Sequence, residues 1–315
     1  MSMSAAIVVI SSFNVANFLL SQLFRVHTTF SRYLSGPRLY STINEAEIAK
    51  FSDLSAHWWS PSGPFALLHR MNPIRIDYIR RHLAEYRGCE ETGRFQKRHK
   101  LPFEGWKILD VGSGGGLLSE SLARLGANVV GIDASNENVH VAQRHAKKDP
   151  RLISGPGRVE YRCITAEELI KTEKNAFDAV CTMETIEHVD HPADFLKACC
   201  GLVKPTGHLF ISTISRTLLS YTLTILLAEK ILNIVPLGTH DFYKYVRPEE
   251  VSLALDEIRE GEDTEGMVNK TRWAVVDTTG VGYNPIVGKW FEVDRRFPWA
   301  MEVNYFLCAR RVEVH

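Results

Sequence analysis

The chain has 315 residues, of which 45% are hydrophobic and 23% are charged, and its 37 basic and 37 acidic side chains give a formal net charge of zero. This length and composition indicate a soluble globular protein with one large domain and additional segments. Because no basic excess is available to meet a phosphate backbone, we expect no nucleic-acid partner. Six cysteines without C-x-x-C spacing argue against a disulfide framework and favour a reducing compartment.

The first 43 residues differ in composition from the rest of the chain. No Asp or Glu occurs before Glu45, and the segment is rich in serine and carries three arginines. This composition is typical of an organellar presequence, and we interpret 1–43 as a mitochondrial one. Two alternatives stay open: the apolar stretch 5–20 could be a signal-peptide core, although no basic residue precedes it, and the segment could be a disordered tail.

Residues 44–104 predict a helical extension ahead of the main domain. Apolar residues at helical spacing indicate a first helix from Asn44, and the Ser-, Pro- and Gly-containing run 60–64 interrupts the pattern. A second helix is predicted from just after Pro73 to about Tyr86. The polar residues 88–100 then predict a loop.

Residues 105–315 predict an α/β domain. Five strands with helices between them indicate a mainly parallel, doubly wound sheet. Two later strands without a helix between them predict an antiparallel edge strand. The predicted strands are 107–112, 128–133, 159–164, 177–183, 208–213, 273–278 and 303–309, and the clearest helices are 116–125 and 192–203.

A glycine-rich loop after the first predicted strand is the most informative motif. Residues 108–116 read ILDVGSGGG, and Asp133 closes the second apolar run, VVGID. Strand, glycine turn, helix and a second strand ending in an acid are the sequence form of a nucleotide-binding start. A dinucleotide loop needs a third glycine where Leu117 stands, and no Gly-Lys-Ser/Thr follows. The motif therefore disfavours an NAD-dependent dehydrogenase and a P-loop protein.

The loop instead resembles motif I of class I S-adenosylmethionine-dependent methyltransferases, which have a Rossmann-like fold. Asp110 suits the cationic side of S-adenosylmethionine, and Asp133 suits its ribose diol. Gly112 and Gly114 allow the backbone to approach a ligand closely. The competing interpretation is an α/β domain with a glycine-rich turn and no cofactor.

Polar residues follow the fourth predicted strand, at the sheet edge where open α/β folds bind ligands. The run 181–190 reads CTMETIEHVD. In a helix, Glu184, Glu187 and His188 would share a face and could converge on one hard cation, Mg²⁺ or Mn²⁺. They are the candidate catalytic and metal-binding residues. The alternative is a metal-free polar rim that positions the substrate, with His188 available as a base.

An apolar insertion at about 216–247 interrupts the predicted fold. Within it, 217–236 carries only two charged residues, Glu229 and Lys230. Its length and internal charges argue against a membrane span and favour an interfacial helix on a membrane surface. An ordinary buried helix is the alternative.

Longer blocks resemble the O-methyltransferases of ubiquinone biosynthesis, from about Ile48 to Phe306. A C-methyltransferase of the same pathway fits less well, because it lacks the LHRMNP and GTHD blocks. Residues 256–272 and 288–299 depart from the family's pattern. The blocks that carry the resemblance include Trp58-Trp59, LHRMNPIR at 68–75, DVGSGGG at 110–116, METIEHV at 183–189, LVKPTG at 202–207, VPLGTHDFYKYVRPEE at 235–250, Tyr283-Asn284-Pro285 and Val303-Asn304-Tyr305.

This resemblance implies methylation of catechol hydroxyls in polyprenylated intermediates, 3,4-dihydroxy-5-polyprenylbenzoate and demethylubiquinol, with S-adenosylmethionine as the donor. It implies that Arg75, Gly112, Asp133 and Met183 contact the donor. The mitochondrial members are metal-dependent, which implies Mg²⁺ at the Glu-x-x-Glu-His set described above.

With an organellar presequence, the closer likeness is to the eukaryotic mitochondrial members. The resemblance then implies a peripheral protein on the matrix face of the inner membrane, with other ubiquinone-biosynthesis proteins as partners. A methyltransferase-like assembly subunit without catalysis is the non-enzyme alternative, but the intact Asp133 and the Glu-x-x-Glu-His set favour an enzyme.

Overall fold

The computed structural model describes residues 42–91, 101–225, 241–258, 271–297 and 299–313. The predicted presequence, apart from its last two residues, and residues 226–240 of the apolar insertion lie outside the described residues.

One mixed sheet of eight strands forms the centre of the described structure, in the order β3-β2-β1-β4-β5-β8-β6-β7. The first five strands pair in parallel, and β8, β6 and β7 complete the sheet in antiparallel pairing. The predicted doubly wound sheet with an antiparallel edge is thus confirmed. The strands are β1 Lys107–Val111, β2 Asn128–Asp133, β3 Arg158–Cys163, β4 Phe177–Met183, β5 Val203–Ile214, β6 Thr271–Asn284, β7 Lys289–Val293 and β8 Asn304–Glu313.

Helices connect the parallel strands and cover the sheet. Polar residues cap several of them: the side chains of Asn44, Ser135 and Thr165 each accept a backbone N–H in the first turn of the helix that follows. Short 3₁₀ turns lie at Ser55–His57, Ile186–His188 and Phe242–Lys244. The helices longer than one turn are α1 Glu45–Asp53, α2 Ala66–Glu91, α3 Leu117–Arg124, α4 Asn136–Ala146, α5 Pro150–Ser154, α6 Ala166–Glu173, α7 Pro192–Leu202 and α8 Pro248–Glu257, and a single helical turn lies at Leu218–Ser220.

The long helix α2 begins earlier than the sequence predicts. It starts at Ala66 and contains Pro73, which we expected to precede the helix. A proline removes one helical hydrogen bond, but the ring of Pro73 faces solvent, and buried Met71 holds the preceding turn in the core. Asn72 adds a link to α3, because its side-chain amide donates to the carbonyl of Leu117 at 3.2 Å.

The core lies between α2 and the sheet. Tyr78, Ile79 and Leu83 of α2 are at most 1% exposed, and the Tyr78 ring packs against Phe306 of β8 at 5.2 Å between centroids. This packing holds α2 against β5 and β8, because the Tyr78 ring also contacts Phe210 of β5 at 6.2 Å between centroids.

The strand β7 was missed by the sequence prediction. It lies within 288–299, and its side chains are mostly exposed, so no hydrophobic alternation marks it. It pairs with β6 across a turn after Asn284 and forms a hairpin at the edge of the sheet. None of the helices in the described ranges has the length and apolarity needed to cross a bilayer.

Candidate active site

The glycine loop folds back from the end of β1 onto β2. The N–H groups of Gly112 and Ser113 both donate to the carbonyl of Ile132, at 2.9 Å each. Gly112 has a φ of 72°, and a Cβ atom there would lie 2.5 Å from the hydroxyl of Thr185. Only glycine fits this position, because the left-handed backbone and the close approach both exclude a side chain.

Asp133 holds the end of β2 against this loop. Its Oδ2 accepts the N–H of Gly114 at 2.8 Å, and its Oδ1 accepts the N–H of Ser135 at 2.8 Å. Burial raises the pKa of Asp133, while these backbone bonds lower it. A carboxylate offers about four acceptor positions, so Asp133 keeps capacity for hydroxyl groups of a ligand. The loop and the acid therefore form one unit, as the sequence predicts.

Asp110 lies deeper, beneath the loop. It is 2% exposed and accepts the hydroxyl of Ser119 at 2.5 Å. Burial raises the pKa of Asp110 to about 6, against the opposing effects of the Ser119 bond and the Arg75 charge. Its carboxyl group lines the cavity together with Gly112 and Gly114.

Arg75 projects from α2 into the same cavity and is 4% exposed. Its nearest acid is Glu184, with 3.6 Å between Nη2 and Oε1. Within the described residues, its Nε and Nη2 have no hydrogen-bond partner. Burial lowers the pKa of Arg75, while nearby acids raise it. A buried guanidinium with unsatisfied N–H groups is costly, which favours a site for an anionic ligand group.

The segment after β4 does not form the helix on which the shared face of Glu184, Glu187 and His188 was predicted. Glu184 has a φ of 57°, and its N–H donates to both oxygens of Ser212 at 3.0 Å. Only the 3₁₀ turn Ile186–His188 follows. The backbone reverses at Glu184 because β5, next to β4 in the sheet, supplies those bonds. Met183, the last residue of β4, is buried and lines the cavity as expected.

The two carboxylates of this segment lie close enough to repel each other. Glu184 accepts the hydroxyl of Ser212 at 2.6 Å, and Glu187 accepts the hydroxyl of Thr213 at 2.8 Å. Glu187 is 5% exposed, and burial followed by the charge of Glu184 raises its pKa to about 7. Two acids on the cavity wall are thus brought together, as the motif predicts.

His188 lines the cavity but turns towards α1. Its Nδ1 lies 2.9 Å from Oε2 of Glu47, and its ring edge packs on Phe51 at 5.0 Å between centroids. The bond to His188 lowers the pKa of Glu47, which is therefore the acceptor. Across the described ranges, no three His, Cys, Asp or Glu side chains are gathered in a way that could hold a metal ion.

The Trp58-Trp59 pair covers the outer side of the glycine loop, a role that local sequence reasoning missed. The indole N–H of Trp58 donates to Asn138 at 2.8 Å, and that of Trp59 donates to the carbonyl of Gly115 at 2.9 Å. A Cβ atom on Gly114 would collide with the Trp58 ring. In the sequence, the tryptophan pair next to the Ser-, Pro- and Gly-containing run was the one feature that could have indicated this cover. No sequence feature indicated Glu47 as the partner of His188.

One cavity of about 460 Å³ joins all of these groups. The glycine loop, Asp133 and Arg75 line one part of it, and the acids after β4 line another. A further part of its wall is mostly apolar and comprises Leu223, Thr224, Tyr283, Pro285 and Trp290. A ligand bound by the loop would therefore share one space with a second ligand bound near the acids.

The sequence is similar to known methyltransferases. A family described as a methyltransferase domain matches residues 109–211. The ubiquinone biosynthesis O-methyltransferase of Rhizobium etli is 42% identical over 271 residues, which cover 86% of this chain and 97% of that protein. The protein of the same name from Colwellia psychrerythraea is 40% identical, with the same coverage of both chains.

Among solved structures, phosphoethanolamine N-methyltransferase 1 of Haemonchus contortus, in complex with phosphoethanolamine and S-adenosylhomocysteine, is similar with a TM-score of 0.52 and 12% identity. The match covers 87% of this chain and 50% of that chain. It supports the fold alone.

The raised pKa of Glu187 predicts a pH-dependent cost to folding in metal-free buffer. Because the folded-state pKa of about 7 exceeds the usual 4.5, ionising Glu187 destabilises the folded state as pH rises through this window. The Glu187→Gln variant, which cannot ionise, should gain unfolding free energy relative to wild type, by about 1–3 kcal/mol more at pH 8 than at pH 5. Urea denaturation in EDTA at both pH values measures this; an equal difference at the two pH values would contradict it.

Proposed function

The chain belongs to the ubiquinone biosynthesis O-methyltransferase family, and we propose that it methylates a catechol hydroxyl of a polyprenylated intermediate with S-adenosylmethionine as donor. One observation carries the proposal: the buried Arg75 guanidinium, whose Nε and Nη2 have no hydrogen-bond partner among the described residues, shares a cavity with the loop-bound acid Asp133 and with a carboxylate pair. The identity extends over 97% of the length of these relatives, which supports an enzyme of this class rather than a non-catalytic assembly subunit.

The donor half of the cavity would hold S-adenosylmethionine. Arg75 would bind the carboxylate of its methionine part, because guanidinium and carboxylate form charge-assisted hydrogen bonds. Asp133 would accept the ribose hydroxyls, and Asp110 would face the cationic side of the ligand. Gly112 and Gly114 line the cavity and would meet the ligand through their backbone atoms, since Thr185 and Trp58 fill the space where their Cβ atoms would lie.

Met183 would contact the donor from the end of β4, as an apolar wall beside the glycine loop. Its position next to Glu184 in the cavity wall supports a donor half that lies directly beside the acceptor half. This adjacency is what transfer of a methyl group from one ligand to the other requires.

The acceptor half would hold the catechol beside Glu184 and Glu187. A catechol hydroxyl is a poor nucleophile until it loses a proton. In a metal-free site, Glu187, whose pKa is raised to about 7 by burial, would accept that proton near neutral pH. His188 is the candidate base if it is not a metal ligand. The oxygen then attacks the sulfonium methyl, and the donor leaves as neutral S-adenosylhomocysteine. Orientation of the two ligands in one cavity can recover roughly 7–11 kcal/mol of the barrier.

We further propose that Glu184, Glu187 and His188 hold Mg²⁺. Within the described ranges these three side chains are not gathered around one point, so the proposal requires them to close around the ion when it binds. The chemistry of these side chains supports this, since the two carboxylates repel each other and a hard cation would offset that repulsion. His188 gives its Nδ1 to Glu47, which leaves Nε2 available, the usual arrangement of a metal-binding histidine with a carboxylate behind it. When bound, Mg²⁺ would lower the pKa of the catechol hydroxyl and orient the ring.

We also propose a location at the matrix face of the mitochondrial inner membrane, as a peripheral protein in contact with other ubiquinone-biosynthesis proteins. The acid-free, arginine-containing start supports import, and a polyprenyl tail requires a membrane surface. The predicted membrane contact at 217–236 begins with exposed leucines: Leu218 is 61% exposed and Leu219 is 38% exposed.

Donor binding depends on the Arg75 guanidinium. The Arg75→Met variant should bind S-adenosylmethionine at least about tenfold more weakly, because a charge-assisted hydrogen bond contributes about 1.5–3 kcal/mol. The matched control is Arg80→Met, an exposed arginine of the same helix, which should bind within about twofold of wild type. Titration calorimetry on folded protein measures both. Equal weakening in the two variants would contradict the role of Arg75.

Catalysis is tested with a short-tailed catechol. Wild-type protein should methylate it with S-adenosylmethionine, EDTA should abolish turnover, and Mg²⁺ should restore it. The Glu187→Ala variant should lose methyl transfer while it keeps donor affinity, because Glu187 lies in the acceptor half. Full activity of wild type in EDTA would rule out the metal, and no methyl transfer with any catechol would rule out the proposed reaction.

Location is tested by fractionation of mitochondria. The chain should be protease-protected in mitoplasts, sediment with inner membranes after sonication, and be released by alkaline carbonate. Its N-terminus should lie beyond the first 40 or so residues. A native N-terminus at Met1 or Ser2 would contradict the presequence, and recovery in the soluble matrix fraction would contradict membrane contact.

A further inference from the structure

The tip of the β6–β7 hairpin presents two aliphatic side chains to solvent. Ile286 is 93% exposed and Val287 is 61% exposed, and Ile286 has the largest exposed fraction of the large hydrophobic residues in the described ranges. Neither residue lines the cavity. Exposing two adjacent aliphatic side chains to water costs free energy, which an apolar contact would offset.

This tip is held in a defined conformation. The side chain of Asn284 accepts the N–H groups of Ile286 at 3.0 Å and Val287 at 3.3 Å. Gly288 closes the turn with a φ of 65°. The two aliphatic residues are therefore presented by a built turn, at a fixed place beside the sheet edge.

The hairpin is also fastened to α2. Arg70 donates to the hydroxyl of Tyr283 at 2.7 Å, and the indole of Trp290 donates to the carbonyl of Leu67 at 3.1 Å. The rings of Tyr283 and Trp290 lie 5.2 Å apart across the two strands. Since α2 also carries Arg75, the tip and the donor site share one rigid support.

The apolar part of the cavity wall is continuous along the chain with this tip. Tyr283, Pro285 and Trp290 line the cavity, and Ile286 is the residue directly after Pro285. An apolar chain leaving the cavity along this wall would therefore meet Ile286 and Val287. The Tyr-Asn-Pro sequence forms this junction between cavity and surface.

The charged side chains next to the tip are basic. Arg70 lies against the turn, with its Nη1 about 3.3 Å from the position that a Cβ atom on Gly288 would occupy, and Lys289 is exposed directly after the turn. The acid of the same strand, Glu292, is paired with Arg81 of α2. Aliphatic side chains flanked by cations are the pattern that binds an anionic lipid surface.

We propose that the β6–β7 tip inserts Ile286 and Val287 into an anionic bilayer, so that the prenyl tail of the acceptor passes from the lipid along Tyr283 and Pro285 into the cavity. The inference rests on the proposed function, which supplies a lipid-borne substrate. It assigns a membrane contact separate from the apolar segment 217–236.

Vesicle sedimentation of the full chain tests the contact. Wild type and Ile286→Glu/Val287→Glu are compared on phosphatidylcholine vesicles with and without an anionic phospholipid. The double variant should bind anionic vesicles at least about tenfold more weakly, because two aliphatic side chains lose their burial. The control is Ile153→Glu, a 62% exposed aliphatic residue of α5, which should change binding by less than about twofold. Wild-type vesicle affinity in the double variant would overturn the assignment.

Activity distinguishes this contact from the reaction itself. The double variant should methylate a short-tailed, water-soluble catechol at the wild-type rate and lose turnover of a long-tailed catechol presented in anionic vesicles. Lys289→Glu should weaken binding to anionic vesicles only. Equal loss on both substrates would overturn the role of the tip in tail entry, whereas a wild-type protein inactive on the short-tailed catechol would refute the proposed function and leave the vesicle result standing.

Discussion

The buried charge of Arg75 determines which other side chains the site must contain. A guanidinium that is 4% exposed, with Nε and Nη2 free of hydrogen bonds among the described residues, is stable only beside compensating anions. Glu184, Asp110 and Glu187 supply negative charge around it. The carboxyl edge of the parallel sheet brings these acids together, and α2 brings the arginine to them. The packing of α2 on the sheet is thus also what assembles the site.

This dependence explains why the N-terminal extension belongs to the catalytic unit. Its helix α2 supplies Arg75, its tryptophan pair covers the glycine loop, and Glu47 of α1 holds His188. The antiparallel hairpin is tied to the same helix through Tyr283. The α/β domain alone would keep the loop and Asp133 but would lack Arg75, the group that we propose binds the donor's carboxylate.

Local patterns predicted the parts of the structure that neighbouring residues determine. The strands β2 and β4, the glycine loop and Asp133 follow from strand, turn and helix signals within about twenty residues of each other. The helix considered after β4 does not form, because the backbone N–H of Glu184 donates to Ser212 on another strand. The pairing of His188 with Glu47 spans 141 residues and leaves no periodic signal. The start of α2 was missed because tertiary burial outweighed the local effect of Pro73. Contacts between residues so far apart in the sequence depend on the whole fold, and local patterns do not predict them. Only a family resemblance could indicate them.

The proposed reaction requires the donor and the acceptor to lie in a single cavity with the methyl group between them. A crystal structure of the chain with S-adenosylhomocysteine and a short-tailed catechol would show whether they do. We expect the donor's amino-acid carboxylate on Arg75, its ribose on Asp133, and a catechol oxygen beside Glu187 facing the sulfur with room for one methyl group. A donor carboxylate bound away from Arg75, or a catechol bound outside this cavity, would contradict it.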